Sequence, residues 1–229
     1  SYLSVQELKT EIALLAQYKI NVFHWHLTEN EGWRLQSLRY PQLNAAENYE
    51  RMPAQYYTLA EAKELVEFCR QRHVLLIPEI DMPGHSRAFE KAFGTSMQTE
   101  AGISILKNLL DEVCETFSVP YIHIGTDEVA FTNPRFVPEM VQYLRDKGKK
   151  VISWNPGWQY QAGEIDMTQL WSYRGKAQKG IPAIDCRFHY LNHYDAFADL
   201  IALYNSRILN VEQGDEDHAG AIIAIWNDR

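Results

Sequence analysis

Apolar and polar positions along this chain follow two alternating rhythms. In residues 5–18, Leu8, Ile12 and Leu15 fall three and four apart, the spacing of a helix with one buried face. Residues 20–26 form a short apolar run that reads as a strand. The alternation then repeats. Helices are predicted over residues 59–72, 100–117, 134–147 and 194–204. Strands are predicted over residues 73–80, 121–125, 150–154, 167–171, 183–188 and 220–226. Thr58 and Glu61 form a capping box for one helix, Thr99 caps another, and Gly148 closes a third.

Strand–helix repetition predicts an α/β fold with a parallel sheet. Seven strands are predicted, after an opening helix and with a strand as the last element. A closed barrel of eight strands would place one more strand before Ser1 and, normally, a helix after Arg229. An open doubly wound sheet is the alternative. No GxGxxG or GxxxxGK[ST] loop follows any strand, which weakens the nucleotide-binding form of that alternative. No linker, repeat or low-complexity tract interrupts residues 1–229, so a single domain is expected.

The chain has 229 residues, 46% of them hydrophobic, enough for one large core but slightly short of the about 250 residues of a typical barrel. Its net charge is −8 and it has no basic run, which disfavours nucleic acid and anionic membrane surfaces as partners. Six Trp and thirteen Tyr suit either core packing or stacking against sugar rings, and composition does not choose between these. Cys69, Cys114 and Cys186 are widely spaced and form no zinc pattern, so buried free thiols are expected. No apolar run is long enough to span a membrane, and no signal peptide is visible. The first residue is not Met, which fits removal of a leader or an upstream segment.

Candidate chemistry gathers at the carboxyl ends of the predicted strands. His123-Ile124-Gly125-Thr126-Asp127-Glu128 ends one of them in adjacent carboxylates. Neighbouring side chains there point in different directions, so one acid is free to donate a proton while the other stays charged. His24-Trp25-His26, Glu79-Ile80-Asp81, Trp154-Asn155 and Trp226-Asn227-Asp228 end other strands. Converging tips of this kind describe an active-site rim. Structural roles compete: His24 and His26 share one face, as do Glu79 and Asp81, and these could be buried partners, while Trp25 packs under helices. A metal-dependent barrel hydrolase is a second alternative, with His24, His26, His85, His123 and Asp127 as ligands. No later strand completes that set and Glu128 would be idle, so no metal is expected.

Three segments carry a family resemblance: NVFHWHLTENEGWRLQSLRYPQL (residues 21–43), IPEIDMPGHS (residues 77–86) and HIGTDE (residues 123–128). They resemble family 20 glycoside hydrolases, the β-N-acetylhexosaminidases. SWNPGW, LW, HYLNHYD and AIWND follow in the expected order. The resemblance implies a (β/α)8 barrel, here with strands two to eight present and its first strand, which ends in a sugar-gripping Arg, before Ser1. It implies a retaining exo-glycosidase that removes terminal β-linked N-acetylglucosamine or N-acetylgalactosamine. The substrate's own acetamide oxygen is then the nucleophile, through an oxazolinium ion, and no cofactor takes part.

Carried over by resemblance, Glu128 is the general acid and base, and Asp127 is the carboxylate that receives the acetamide N–H and stabilises the cation. His85, paired with Glu29, supports the acid. Tyr190 aligns the acetamide oxygen, and Trp154, Trp171 and Trp226 wall the sugar. Asn192 and Asp228 bind outer groups, at positions where the family usually has Asp and often has Glu. Glu29-Asn30 replaces the family's usual Asp pair, and Gly125-Thr126 its Gly-Gly, a change expected to be tolerated. A glycan is the expected partner, met outside the cytoplasm by family habit. A non-catalytic or degenerate sugar-binding fragment of the same fold is the remaining alternative. The sequence fixes no oligomeric state.

Overall fold

A computed structural model describes residues 2–191 and 200–226. Contacts divide the chain into two compact units, Ser1–Lys150 and Val151–Arg229.

The first unit opens with α1 (Val5–Gln17), where Ser4 Oγ accepts the Glu7 amide and the Glu7 carboxylate accepts the Ser4 amide at 2.7 Å. Strand β1 (Val22–His26) follows, then a small antiparallel hairpin of β2 (Thr28–Glu29) and β3 (Gly32–Trp33). The predicted capping box starts α2 (Leu59–Arg70): Thr58 Oγ1 accepts the Glu61 amide, and Glu61 accepts the Thr58 amide at 2.8 Å. β4 (Leu75–Glu79), α3 (Arg87–Phe93), α4 (Glu100–Thr116), β5 (Tyr121–His123) and α5 (Phe136–Asp146) complete the series. Thr99 caps α4 through the Gly102 amide at 3.0 Å. Gly148, at φ 75°, takes the left-handed turn after α5.

β4 lies between β1 and β5, parallel to both. Its register pairs His26 with Glu79, and Glu79 with His123. The last residues of three neighbouring strands therefore stand side by side. Helix α2 packs on β4 and on α4. Leu65, Leu76, Leu106, Leu110 and Ile122 fill the space between, all essentially buried. Trp25 is buried with its edge on Tyr57, at 4.5 Å between ring centroids, in the structural role expected of it.

The second unit takes up β6 (Lys150–Asn155), whose first residue lies at the boundary, then β7 (Met167–Leu170), β8 (Ala183–Asp185), α6 (Leu200–Asn205) and β9 (His218–Ala221). β6, β7, β8 and β9 pair in that order, all parallel. Most predicted strands end one to three residues earlier in the structure, because apolar side chains such as Ile80 and Ile124 stay buried after strand geometry has stopped. The last predicted strand shifts: β9 is His218–Ala221, and Ala224 contributes only an isolated bridge to Tyr190. The predicted helix at 194–204 is seen as α6, with its earlier part outside the described residues. The hairpin β2–β3 and helix α3 were not predicted from the sequence pattern.

Cys69 and Cys186 are buried free thiols and Cys114 is partly so, as expected. Burial pushes the Cys69 thiol up to about 11 and the Cys186 thiol up to about 12. Among the described residues, no helix is long and apolar enough to cross a membrane.

Candidate active site

In the first unit, Glu79 organises the polar residues at the strand ends. It is fully buried as the last residue of β4. His24 Nε2 lies 2.7 Å from its Oε2, and His26 Nδ1 lies 2.9 Å from the same oxygen. His123 Nδ1 lies 3.4 Å from its Oε1. The period-2 register explains the convergence, since His24 and His26 share a face of β1 and His123 ends the other neighbour of β4. Burial alone would neutralise Glu79, but His26, His123 and His24 outweigh it and hold its carboxyl well below the usual range. Burial likewise disfavours a charge on His26, yet Glu79 and Glu29 together lift it well above the ordinary imidazole value. His123 goes the other way: burial brings it down to about 4, against the pull of Glu79.

The hairpin after β1 carries Glu29 to the rim. Its Oε1 lies 2.8 Å from His85 Nδ1, the pairing expected from the sequence, and the extra methylene relative to Asp does not prevent it. His26 Nε2 faces the other oxygen, Oε2, at 3.6 Å. Burial opposes the charge on Glu29, but the nearby His26 and the hydrogen bond from His85 bring it down to about 2. The bond to Glu29 raises His85 to about 9, with burial working against it and Asp81 and Asp127 adding to it. At neutral pH this pair is therefore carboxylate and imidazolium.

The two acids sit on a turn made of left-handed residues. Gly125 has φ 68°, Thr126 φ 82° and Glu128 φ 49°. Thr126 is a β-branched residue in a region that costs it strain, so this chain carries a local cost where the family has its second glycine. Asp81 sits beneath this turn and was not singled out as a site residue by the sequence. The Thr126 amide donates to its Oδ1 at 3.3 Å, and Thr28 Oγ1 accepts the Asp81 amide at 2.8 Å. Burial, with the nearby Asp127 and Glu79 charges, raises Asp81 well above the usual carboxylate range. A Cβ on Gly125 would stand 1.8 Å from Asp81 Oδ1. The period-2 spacing of Glu79 and Asp81 was the only sequence signal for this role.

Adjacent in sequence, Asp127 and Glu128 meet different surroundings. The Glu128 side chain is 57% exposed, that of Asp127 only 13%. His85 Nε2 lies 3.5 Å from Glu128 and 3.9 Å from Asp127. Asp127 Oδ1 is buried and has no hydrogen-bond partner among the described residues. Burial raises the Asp127 carboxyl to about 7, with His85 opposing and Glu79 assisting. Burial costs the charged form of Asp127 more than His85 returns, which works against the ionised form expected of it.

Atoms of His24, Glu79 and His123 lie within 4.8 Å of one another, and two imidazoles with a carboxylate would suit a transition metal by composition. His24 and His26 already lie at hydrogen-bond distance from Glu79, so these two histidines have a partner without an ion.

The second unit groups aromatic residues. Trp154 and Trp226 meet edge to face at 6.1 Å between centroids, and Tyr190 meets Trp226 at 6.3 Å. The Leu191 amide donates to Ala224 O at 2.9 Å, which holds the two segments in register. Trp171 follows β7 directly and donates through Nε1 to Pro156 O at 2.8 Å. Three of the expected sugar-binding residues, Trp154, Tyr190 and Trp226, are thus neighbours. Asn192 and Asp228 lie outside the described residues.

Known proteins resemble this chain in sequence and in fold. The family model for the glycosyl hydrolase family 20 catalytic domain matches residues 1–101. A β-N-acetylhexosaminidase of Cellulomonas fimi is 33% identical over 181 residues, covering 67% of this chain and 36% of that protein. A β-hexosaminidase of Porphyromonas gingivalis is 31% identical over 175 residues, covering 65% of this chain and 22% of that protein. The crystal structure of the Bacteroides fragilis β-N-acetylhexosaminidase superposes with a TM-score of 0.82 at 25% identity, covering 99% of this chain and 58% of that one. The chain belongs to glycosyl hydrolase family 20. Its fold is the family 20 (β/α)8 barrel, of which strands two to eight are present. It spans about a fifth to a third of the length of these two curated family 20 relatives.

Proposed function

We propose that this chain belongs to the catalytic domain of a retaining exo-β-N-acetylhexosaminidase acting on terminal β-linked N-acetylglucosamine or N-acetylgalactosamine. The names of its relatives support the substrate class. A Streptomyces plicatus β-hexosaminidase solved with the product N-acetylglucosamine is 26% identical, with a TM-score of 0.70. The observation that carries the reading is Asp127 Oδ1, a buried acceptor without a hydrogen-bond partner among the described residues, one residue from the exposed Glu128. An acetamide N–H is a donor of the right kind, and the positive oxazolinium that follows favours the charged form of Asp127.

In this reading Glu128 protonates the glycosidic oxygen as the C1–O bond breaks, while the acetamide oxygen attacks C1 from within the substrate. Glu128, now a carboxylate, takes a proton from the water that opens the oxazolinium. His85 lies 3.5 Å from Glu128 and is held by Glu29. Tyr190 aligns the acetamide, Trp154, Trp171 and Trp226 face the sugar, and Asn192 and Asp228 bind its outer groups. We further propose, from family habit, that the protein meets this substrate outside the cytoplasm.

The test compares an aryl β-N-acetylglucosaminide with the matching glucoside, which has a hydroxyl in place of the acetamide. Hydrolysis of the first alone, with at least about a hundredfold loss in Glu128→Gln, is expected. Equal cleavage of both glycosides would rule out acetamide assistance. Sugar binding without turnover, in a folded chain, would favour the non-catalytic reading.

A further inference from the structure

The ionic contacts around Glu128 join end to end. In the core, Glu79 Oε2 lies 2.9 Å from His26 Nδ1. The other nitrogen of that imidazole, Nε2, faces Glu29 Oε2 at 3.6 Å. The second Glu29 oxygen, Oε1, lies 2.8 Å from His85 Nδ1. His85 Nε2 then faces Glu128 Oε2 at 3.5 Å. Each imidazole addresses a different carboxylate with each nitrogen, and Glu29 addresses a different imidazole with each oxygen. Building on the function proposed above, we propose that His26 and Glu79 are positioning residues for proton donation by Glu128, acting through Glu29 and His85.

Anchoring is the first support. Glu79 is buried at the end of β4, with His24, His26 and His123 around it, so the inner end of the series is fixed by three strands. Glu29 stands in a two-residue strand of a small hairpin. A glutamate loses considerable rotamer freedom when fixed, and such a hairpin restrains it little. Contacts on both oxygens supply the restraint. Charge is the second support. Glu79, His26, Glu29 and His85 alternate in sign, so every adjacent pair attracts. Asp81 also faces His26 and His85, and Asp127 faces His85, all with the sign that favours imidazolium.

The chemistry says where the effect falls. When Glu128 gives its proton to the glycosidic oxygen, the bonding pair of C1–O goes to the departing oxygen and Glu128 becomes a carboxylate beside the His85 cation. His85 stabilises that carboxylate only while Glu29 holds it in place. A loosened His85 therefore penalises proton donation and leaves sugar binding intact. Leaving groups that need no proton should hardly notice.

His26→Phe keeps the ring and removes both nitrogens, while Glu79 retains His24 and His123. In the full chain, kcat is compared on an alkyl β-N-acetylglucosaminide, which needs the proton, and on the dinitrophenyl glycoside, which does not. The alkyl substrate is expected to lose at least about tenfold more than the dinitrophenyl one, with KM little changed for both. An equal loss on the two, or no loss, overturns the proposal. The His85 Nδ1 proton gives a second readout. Its low-field resonance is expected to move upfield or exchange faster in His26→Phe, and an unchanged resonance overturns the proposal. If the unsubstituted chain cleaves neither glycoside, the functional reading falls and this resonance decides the relay by itself. Should His26→Phe fail to fold, His26→Gln carries both comparisons, with the same sign and a smaller split expected.

Discussion

Asp127 and Glu128 share a peptide bond yet meet different media, and the difference has a measurable consequence. With Asp127 raised to about 7 by burial, its charged fraction grows as pH rises through neutrality. The proposed reaction uses the charged form. In the ligand-free chain kcat/KM should therefore fall about tenfold per pH unit once the pH drops well below 7, an acid limb set by Asp127. A carbon-13 titration of the Asp127 carboxyl is expected to show the same midpoint. A midpoint near 4 would mean that burial does not control this group. The adjacent acids and the His85–Glu29 pair were legible in the sequence because motif and strand-end position mark them. The inner partners showed only as shared strand faces, His24 with His26 and Glu79 with Asp81. His26 and Glu79 are far apart in sequence, and only strand register brings them to 2.9 Å.

At the scale of an element, the turn from β5 to Glu128 is shaped by what lies beneath it. Gly125→Ala would drive a methyl into Asp81, whose Oδ1 stands 1.8 Å from the Cβ position. The substitution also forces Ala to a φ of 68°. A loss of about 2 kcal/mol or more is expected, seen as a fall of roughly 4 to 8 °C in melting temperature. A melting temperature unchanged within error would mean that the turn relaxes freely. Helix starts were readable where a side chain does the capping, as at Thr58 and Thr99. Strand ends were less so, since Ile80 and Ile124 remain apolar and buried beyond the strands. The hairpin carrying Glu29 has strands of two residues, too short for any periodicity to announce. Asn192 and Asp228, named from the resemblance, lie outside the described residues.

For the whole molecule, the same titrations set how stability depends on pH. His85 is raised from 6.5 to about 9, so its contribution is full below pH 6.5 and disappears as pH climbs through about 9. Asp127, also raised, adds a loss between about pH 4 and 7. Glu29, lowered to about 2, contributes above pH 4.5 and loses that contribution as pH falls toward 2. Melting temperature should therefore peak near pH 4.5, fall gradually toward pH 7 as Asp127 loses its proton, and fall further on the alkaline side as His85 does. The His85 shift alone corresponds to about 3 kcal/mol, worth roughly 6 to 12 °C between pH 6 and pH 9.5. A scan that is flat over this range would show that the His85–Glu29 pair is already formed in the unfolded chain.

The buried thiols make the protein its own clock. Cys69 lies in the first compact unit and Cys186 in the second, and neither is a thiolate while it stays buried. A thiol reagent added under native conditions reaches each one only when the surrounding packing opens. Matching labelling rates for the two cysteines would describe one cooperative opening, and diverging rates would describe two halves that breathe at their own pace.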